Sequence, residues 1–290
     1  MVGFETHSMR VDQDLLFSVA FLSTGMMDEL IHQATSFVLL HRGCRYLVTA
    51  KHVAQQLADN PFFIWFNQSG GGSGLLPIDF AMGGEELFRW FCHPLASVDL
   101  AVLPFPVDIK SQGMVAVDLN SSAAVPRASP MSEAGCGDMC HVIGLFTPLP
   151  GKSRNIPVVH TGHIAAMSDS RELVAVNVGG QTTDLEGYLV EISNMSGLSG
   201  APVFVRGGVE LEVPIDDLNK IVVTAHKPDL KLLGVWAGSW DKPTSRANER
   251  VPTGIGIVTP AYRLLELLEF PDVDENRRQW ARKLSAAQAD

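Results

Sequence analysis

Residues 197–204 read GLSGAPVF. A serine between two glycines, followed by Ala-Pro and an apolar pair, is either a nucleophile held on a tight turn or part of a surface loop. The octapeptide alone does not separate the two. A serine hydroxyl reacts at neutral pH only if an imidazole takes its proton and a carboxylate holds that imidazole. The chain supplies one of each in telling places. His52 ends the apolar stretch YLVTAKH (46–52), and Asp99 opens another in SVDLAVL (97–103). The order along the chain is His, Asp, Ser. Ser193 and Ser196 are rival hydroxyls, but neither has the Ser-Gly-x-Pro context of Ser199, so both read as pocket or loop residues. Taken singly, a histidine after a strand and an aspartate before one are ordinary structural residues. The order and the context together single them out.

Composition narrows the alternatives. The chain has 290 residues, 46% of them hydrophobic and 19% charged, with 26 Gly and 17 Pro, which suits a well-buried protein rich in turns and strands. A formal net charge of −10 argues against nucleic acid and anionic membranes as partners, since both select basic surfaces. No apolar run reaches the length of a membrane span. Leu15–Met27 is mostly apolar, but Glu5, Asp12 and Asp14 precede it and no A-x-A-like site follows, so it reads as an element packed on the body rather than a secretion signal. Four cysteines (Cys44, Cys92, Cys136 and Cys140) are too few for a disulfide framework. Cys136, Cys140 and His141 suggest zinc, but no second cluster accompanies them, and His160 and His163 are three apart on a predicted strand, hence on opposite faces. No metal and no cofactor are expected. The Gly-rich SGGGSG (69–74) lacks the Lys-Ser or Lys-Thr of a phosphate loop and reads as a hairpin connection.

Strand signals recur along the chain. SFVLLHRGCRYLVTA (36–50) reads as two strands around a His-Arg-Gly turn, followed by FFIWFNQ, LLPIDF and DLAVLPF. Residues 116–135 read as a linker. A second set follows, including MCHVIGLF, IPVVHTGHIAAM, YLVEIS, LLGVWAG and GIGIVTP. Short strands at this spacing predict an all-β sandwich or barrel pair. After Pro260, AYRLLELLEF has helical periodicity, Pro271 interrupts it, and 274–287 reads as a second, charged helix.

Six segments in this order resemble the chymotrypsin-fold (trypsin-like) serine peptidases, and are nearer the bacterial HtrA-like peptidase domains than the secreted digestive enzymes. They are LVTAKHV, HPLASVDLAVLPF, GDMCHVIG, GLSGAPVF, LLGVWAG and GIGIVTP, spanning about residues 35–270. The resemblance implies an all-β fold of two six-stranded antiparallel β-barrels with a C-terminal helical segment. Residues 1–34 would precede a first barrel at 35–115, and the linker would lead to a second barrel at 136–260 and helices at 261–290. It implies a serine endopeptidase acting on a protein or peptide substrate, with Ser199 as nucleophile, His52 as base and Asp99 as its orienter. The N–H groups of Gly197 and Ser199 would form the oxyanion hole, and Ser193, Trp236, Ala237 and Gly238 would line the substrate pocket, with the Trp236 indole either making that pocket shallow or facing the core.

Departures from the secreted pattern carry further expectations. Leu198 stands where zymogens carry the Asp that pairs with a new N-terminus. Val53 follows His52 where many secreted members have Cys, and Val205 stands opposite Cys140 in the family's second bridge. Both bridges are thus absent, which implies free thiols and a cytoplasmic location. The longer connection at 206–231 reads as a surface hairpin or a site for a dedicated partner protein. An α/β-hydrolase is excluded because its His comes last. The rival that remains is a catalytically silent module that binds peptides by strand addition.

Overall fold

The computed structural model describes residues 11–27, 29–58, 60–80, 89–119, 134–168, 171–178, 181–193, 196–214, 220–243 and 250–287. A short helix α1 (Gln13–Phe17) leads into β1 (Val19–Met26). The first four residues of β1 are fully buried, as their apolar character demands. β2 (Glu29–His41) and β3 (Cys44–Thr49) form the predicted hairpin. Its two turn residues, Arg42 and Gly43, have φ of 48° and 78°. Two successive positive φ values are the type I′ geometry that matches strand twist, so the turn fixes the register here.

The helix α2 (Lys51–Leu57) follows β3 directly and carries His52 in its first turn. Next come β4 (Phe62–Asn67), β5 (Ser73–Ile78), β6 (Phe91–Cys92), β7 (Ala101–Pro104) and β8 (Val117–Asp118). The strand order is β5-β4-β1-β2-β3-β7-β6, with β8 alongside β2. Two expectations need correction. Among the described residues this half is an eight-stranded sheet that does not close, not a six-stranded barrel, and its β2–β8 pair is parallel. Residues 19–34 do not precede this unit but lie inside it, because β1 pairs with both β2 and β4. Of the expected linker, residues 120–133 lie outside the described residues, and 117–118 pair with β2.

The second half matches expectation more closely. β9 (Met139–Gly144), β10 (Val158–Met167), β13 (Tyr188–Glu191), β14 (Pro202–Pro214), β15 (Lys220–Pro243) and β16 (Arg250–Pro260) close into a six-stranded barrel. β11 (Val174–Val178) and β12 (Gln181–Leu185) form a separate ribbon. The 206–231 connection is mostly strand: β14 and β15 pair from Pro202↔Val235 out to Pro214↔Lys220.

Strand alternation, offset by a bulge at Leu233 of β15, sorts the barrel's side chains into two sets. Cys140, Val142, Val203, Val205 and Leu233 fill the interior. Ile143, Leu145, Phe204, Leu232 and Val235 face outward and pack with Val19, Phe21, Phe37 and Val48 of the first sheet. The two halves therefore share one core, and burying a side chain such as Phe204 contributes about 1.5–3 kcal/mol. The helices α3 (Ala261–Leu268) and α4 (Pro271–Ala287) close this core through Leu264, Leu267, Leu268 and Val273. Helix α4 starts at Pro271, three residues before the expected Asp274, because proline is well suited to a helix's first turn.

Candidate active site

The fold brings His52 and Asp99 together. Strand β3 delivers His52 at the start of α2, and Asp99 lies in the segment entering β7. The Asp99 carboxylate engages His52 through both oxygens. Oδ1 accepts the His52 backbone N–H at 2.9 Å, and Oδ2 lies 2.7 Å from Nδ1. A proton on Nδ1 donates to the carboxylate and leaves the Nε2 lone pair free as a base. The Asp99 side chain is 7% exposed and that of His52 23%, so the acid is shielded while the imidazole keeps an open edge.

Three residues hold the Asp99 segment in place. The Lys51 ammonium donates to the carbonyls of His93 (2.9 Å) and Leu95 (2.7 Å). Burial lowers the Lys51 pKa, against the opposing pull of Asp99. The Glu186 N–H donates to Ser97 O at 2.8 Å, and Thr259 Oγ1 donates to the Asp99 carbonyl at 3.3 Å, so the second half also grips this segment. Glu186 is itself buried in a pair with Arg263 of α3 at 2.6 Å. Lys51, Thr259 and Glu186 escaped the sequence reading because their partners are main-chain groups distant in sequence. The only signal was the place of Lys51 beside His52.

The 196–200 turn is held peptide by peptide. Ser196 O accepts from Thr147 N (3.1 Å), Gly197 O from Thr35 Oγ1 (2.7 Å), Leu198 O from Ala201 N (2.8 Å) and Ser199 O from Thr35 N (2.9 Å). A peptide's N–H points opposite its C=O, so fixing each carbonyl also fixes the following N–H. The N–H groups of Gly197 and Ser199 have no hydrogen-bond partner among the described residues. Gly197 is required here: its φ is +101°, and a Cβ would lie 2.7 Å from Leu145 Cγ. Gly200, with φ +85°, presses against β3, where a Cβ would lie 2.1 Å from Thr49 Oγ1. This contact brings the Ser199 turn beside the end of β3, three residues before His52. Ser199 is half-buried. No hydrogen bond joins its hydroxyl to His52 among the described residues.

The expected pocket residues divide. Ser193 is exposed and Gly238 half-exposed, with open space where a Cβ would stand. Trp236 and Ala237 are each 2% exposed, so their side chains do not line a pocket, and of the two readings of Trp236 the indole takes the core-facing one. The Trp236 indole packs inside the barrel with Val190, Val203 and Val258, because that large apolar ring has the interior to fill. Ala237 packs with Leu185 and Ile257. Trp236 serves the turn through its main chain instead, its carbonyl accepting Gly200 N–H at 2.8 Å. A cavity of about 370 Å³ between β3, the end of β7 and α4 includes none of the candidate residues.

The four cysteines are free. Val205 stands directly opposite Cys140 in the β9–β14 ladder. Burial pushes the Cys140 thiol up to about 12, which leaves it protonated and inert. Among the described residues, no group of three or more His, Cys, Asp or Glu is placed to hold a metal, and no helix is long and apolar enough to cross a membrane.

No protein-family model matches the chain, and no curated protein matches it. Among solved structures, the crystal structure of tobacco vein mottling virus protease is similar over 89% of this chain and 83% of that one, at 12% identity and a TM-score of 0.40.

Proposed function

We propose that the chain is a serine endopeptidase of the chymotrypsin type, hydrolysing peptide bonds in a protein substrate through an acyl-enzyme. One observation carries the reading: an Asp99–His52 pair stands at the strand end against which a serine turn packs, and the Gly197 and Ser199 N–H groups of that turn have no partner among the described residues. Ser199 Oγ attacks the scissile carbonyl carbon while His52 Nε2 takes its proton. The carbonyl oxygen gains negative charge and is met by the N–H groups of Gly197 and Ser199. Asp99 stabilises the imidazolium that forms. His52 then gives the proton to the departing amine, leaving Ser199 acylated. Water, deprotonated by His52, attacks the ester carbonyl; the bond to Ser199 Oγ breaks, His52 returns the proton to that oxygen, and the acid is released. Ser193 and Gly238 remain as accessible pocket candidates.

Four free thiols fit a reducing compartment, and we place the protein in the cytoplasm on that ground. A net charge of −10 directs partner choice toward proteins rather than nucleic acid or membrane.

The test is a fluorophosphonate probe, which reacts only with an activated serine, applied to the intact chain with the modified residue located by mass spectrometry. The expected adduct is on Ser199. Ser199→Ala should abolish labelling and lower kcat by about 10⁶-fold, the loss seen when a triad acts as a unit. An adduct on Ser193 or Ser196 would move the nucleophile. No adduct at all would favour the silent peptide-binding module, which binds a peptide by strand addition without chemistry.

A further inference from the structure

We infer that Thr35 is a positioning residue for the oxyanion hole, holding the one peptide plane of the nucleophile turn that, among the described residues, no other group holds. The inference rests on the peptidase reading for its catalytic consequence, but not for its geometry.

Thr35 lies on β2, far from the turn in sequence and fully buried. All its hydrogen-bonding groups are committed. Its N–H donates to Ser199 O at 2.9 Å. Its hydroxyl donates to Gly197 O at 2.7 Å and accepts Leu145 N–H at 2.9 Å. Its carbonyl accepts from Thr49 Oγ1 at 2.8 Å. One residue of the first sheet thus ties together the serine turn, the segment leaving β9 and the strand that delivers His52.

The hydroxyl matters because of which plane it holds. The two candidate oxyanion donors belong to the 196–197 and 198–199 peptides. The 197–198 peptide lies between them, and its rotation would tilt one donor away from the other. Gly197 at one end makes that rotation cheap, since glycine tolerates both signs of φ. The outer planes are held by main-chain donors, from Thr147 and Ala201. The central plane is held, among the described residues, by the Thr35 hydroxyl alone. A hydroxyl suits this place, because it can donate to Gly197 O while accepting from Leu145 N–H. Valine has the same shape and can do neither.

The test compares Thr35→Val with Thr35→Ser, using peptide hydrolysis and amide hydrogen exchange over 143–148 and 196–201. Thr35→Val should lower kcat about 10- to 100-fold, less than the 10²–10³-fold cost of deleting an oxyanion donor, because the donors remain but lose alignment. KM should change less than about threefold. Exchange at Leu145 and across 196–201 should accelerate, and Thr35→Ser should restore rate and protection. If Thr35→Val does not fold, Thr35→Cys, a weak donor of similar size, should give the same pattern at smaller amplitude. A kcat within about twofold of wild type in folded Thr35→Val would overturn the inference, as would failure of serine to rescue. If wild type neither hydrolyses peptides nor takes the fluorophosphonate, the peptidase reading falls and exchange decides the geometry alone. Faster exchange rescued by serine then supports Thr35 as the holder of the turn, and unchanged exchange refutes it.

Discussion

Gly200→Ala tests the join between the two halves of the candidate site. Two penalties add at this position. The φ of +85° forces an L-residue into left-handed backbone, at about 1–2 kcal/mol. The new methyl would also lie 2.1 Å from Thr49 Oγ1, 2.2 Å from Thr35 O and 3.0 Å from Thr49 Cα. Two of these atoms are backbone of paired strands and cannot swing aside, so β3 and the turn must separate, an overpacking cost of about 1–3 kcal/mol. The sum is a destabilisation of about 2–5 kcal/mol. Gly43→Ala isolates the first part. Gly43 has φ +78° but nothing within 4 Å of its Cβ position, so the expected loss is about 1–2 kcal/mol. Urea unfolding followed by tryptophan fluorescence measures both. Gly200→Ala should also slow fluorophosphonate labelling in the fraction that stays folded, because the separation moves Ser199 from His52, whereas Gly43→Ala should leave labelling unchanged. Equal losses in the two variants, or a Gly200→Ala loss below about 1 kcal/mol, would show that the turn is not pressed against β3.

Two further outcomes follow from the same geometry. Asp99→Asn should lower kcat by about 10⁴-fold with little change in fold, because an amide NH₂ facing Nδ1 forces the proton onto Nε2, where it blocks the base; a loss below tenfold, measured with a peptide substrate, would remove Asp99 from its role. Stability should fall as pH drops below about 6.5. Burial lowers the pKa of His32, His93, His141 and His160, so the unfolded chain takes up protons first. Glu266 opposes the shift at His93, while Arg263 and Lys51 reinforce it, and Arg206 reinforces the shift at His141. The contribution is therefore present above the unfolded pKa and lost on acidification, and an unchanged urea midpoint between pH 7.5 and 5.5 would refute it.

What was legible along the chain was local. The hairpin about the His-Arg-Gly turn and the C-terminal helices rest on short patterns, in which the residue type and its immediate neighbours dictate the geometry. His52 and Asp99 were singled out by their order with Ser199 and by the family resemblance, and the fold brings them together across 47 residues. The place of Val205 opposite Cys140 was implied by the family resemblance, and the β9–β14 register is what shows it. Tertiary structure decided the rest. Residues 19–22 are apolar in any reading, but only the pairing of β1 between β2 and β4 makes them the middle of a sheet. Trp236 has the same sequence context whether it lines a groove or fills a barrel, and the interior volume chose the latter. Thr35, in the plain segment ATSF, gives no signal at all. Its role exists only because folding brings a β2 hydroxyl within 2.7 Å of a carbonyl 162 residues away, and one-dimensional pattern does not encode distance across a shared core.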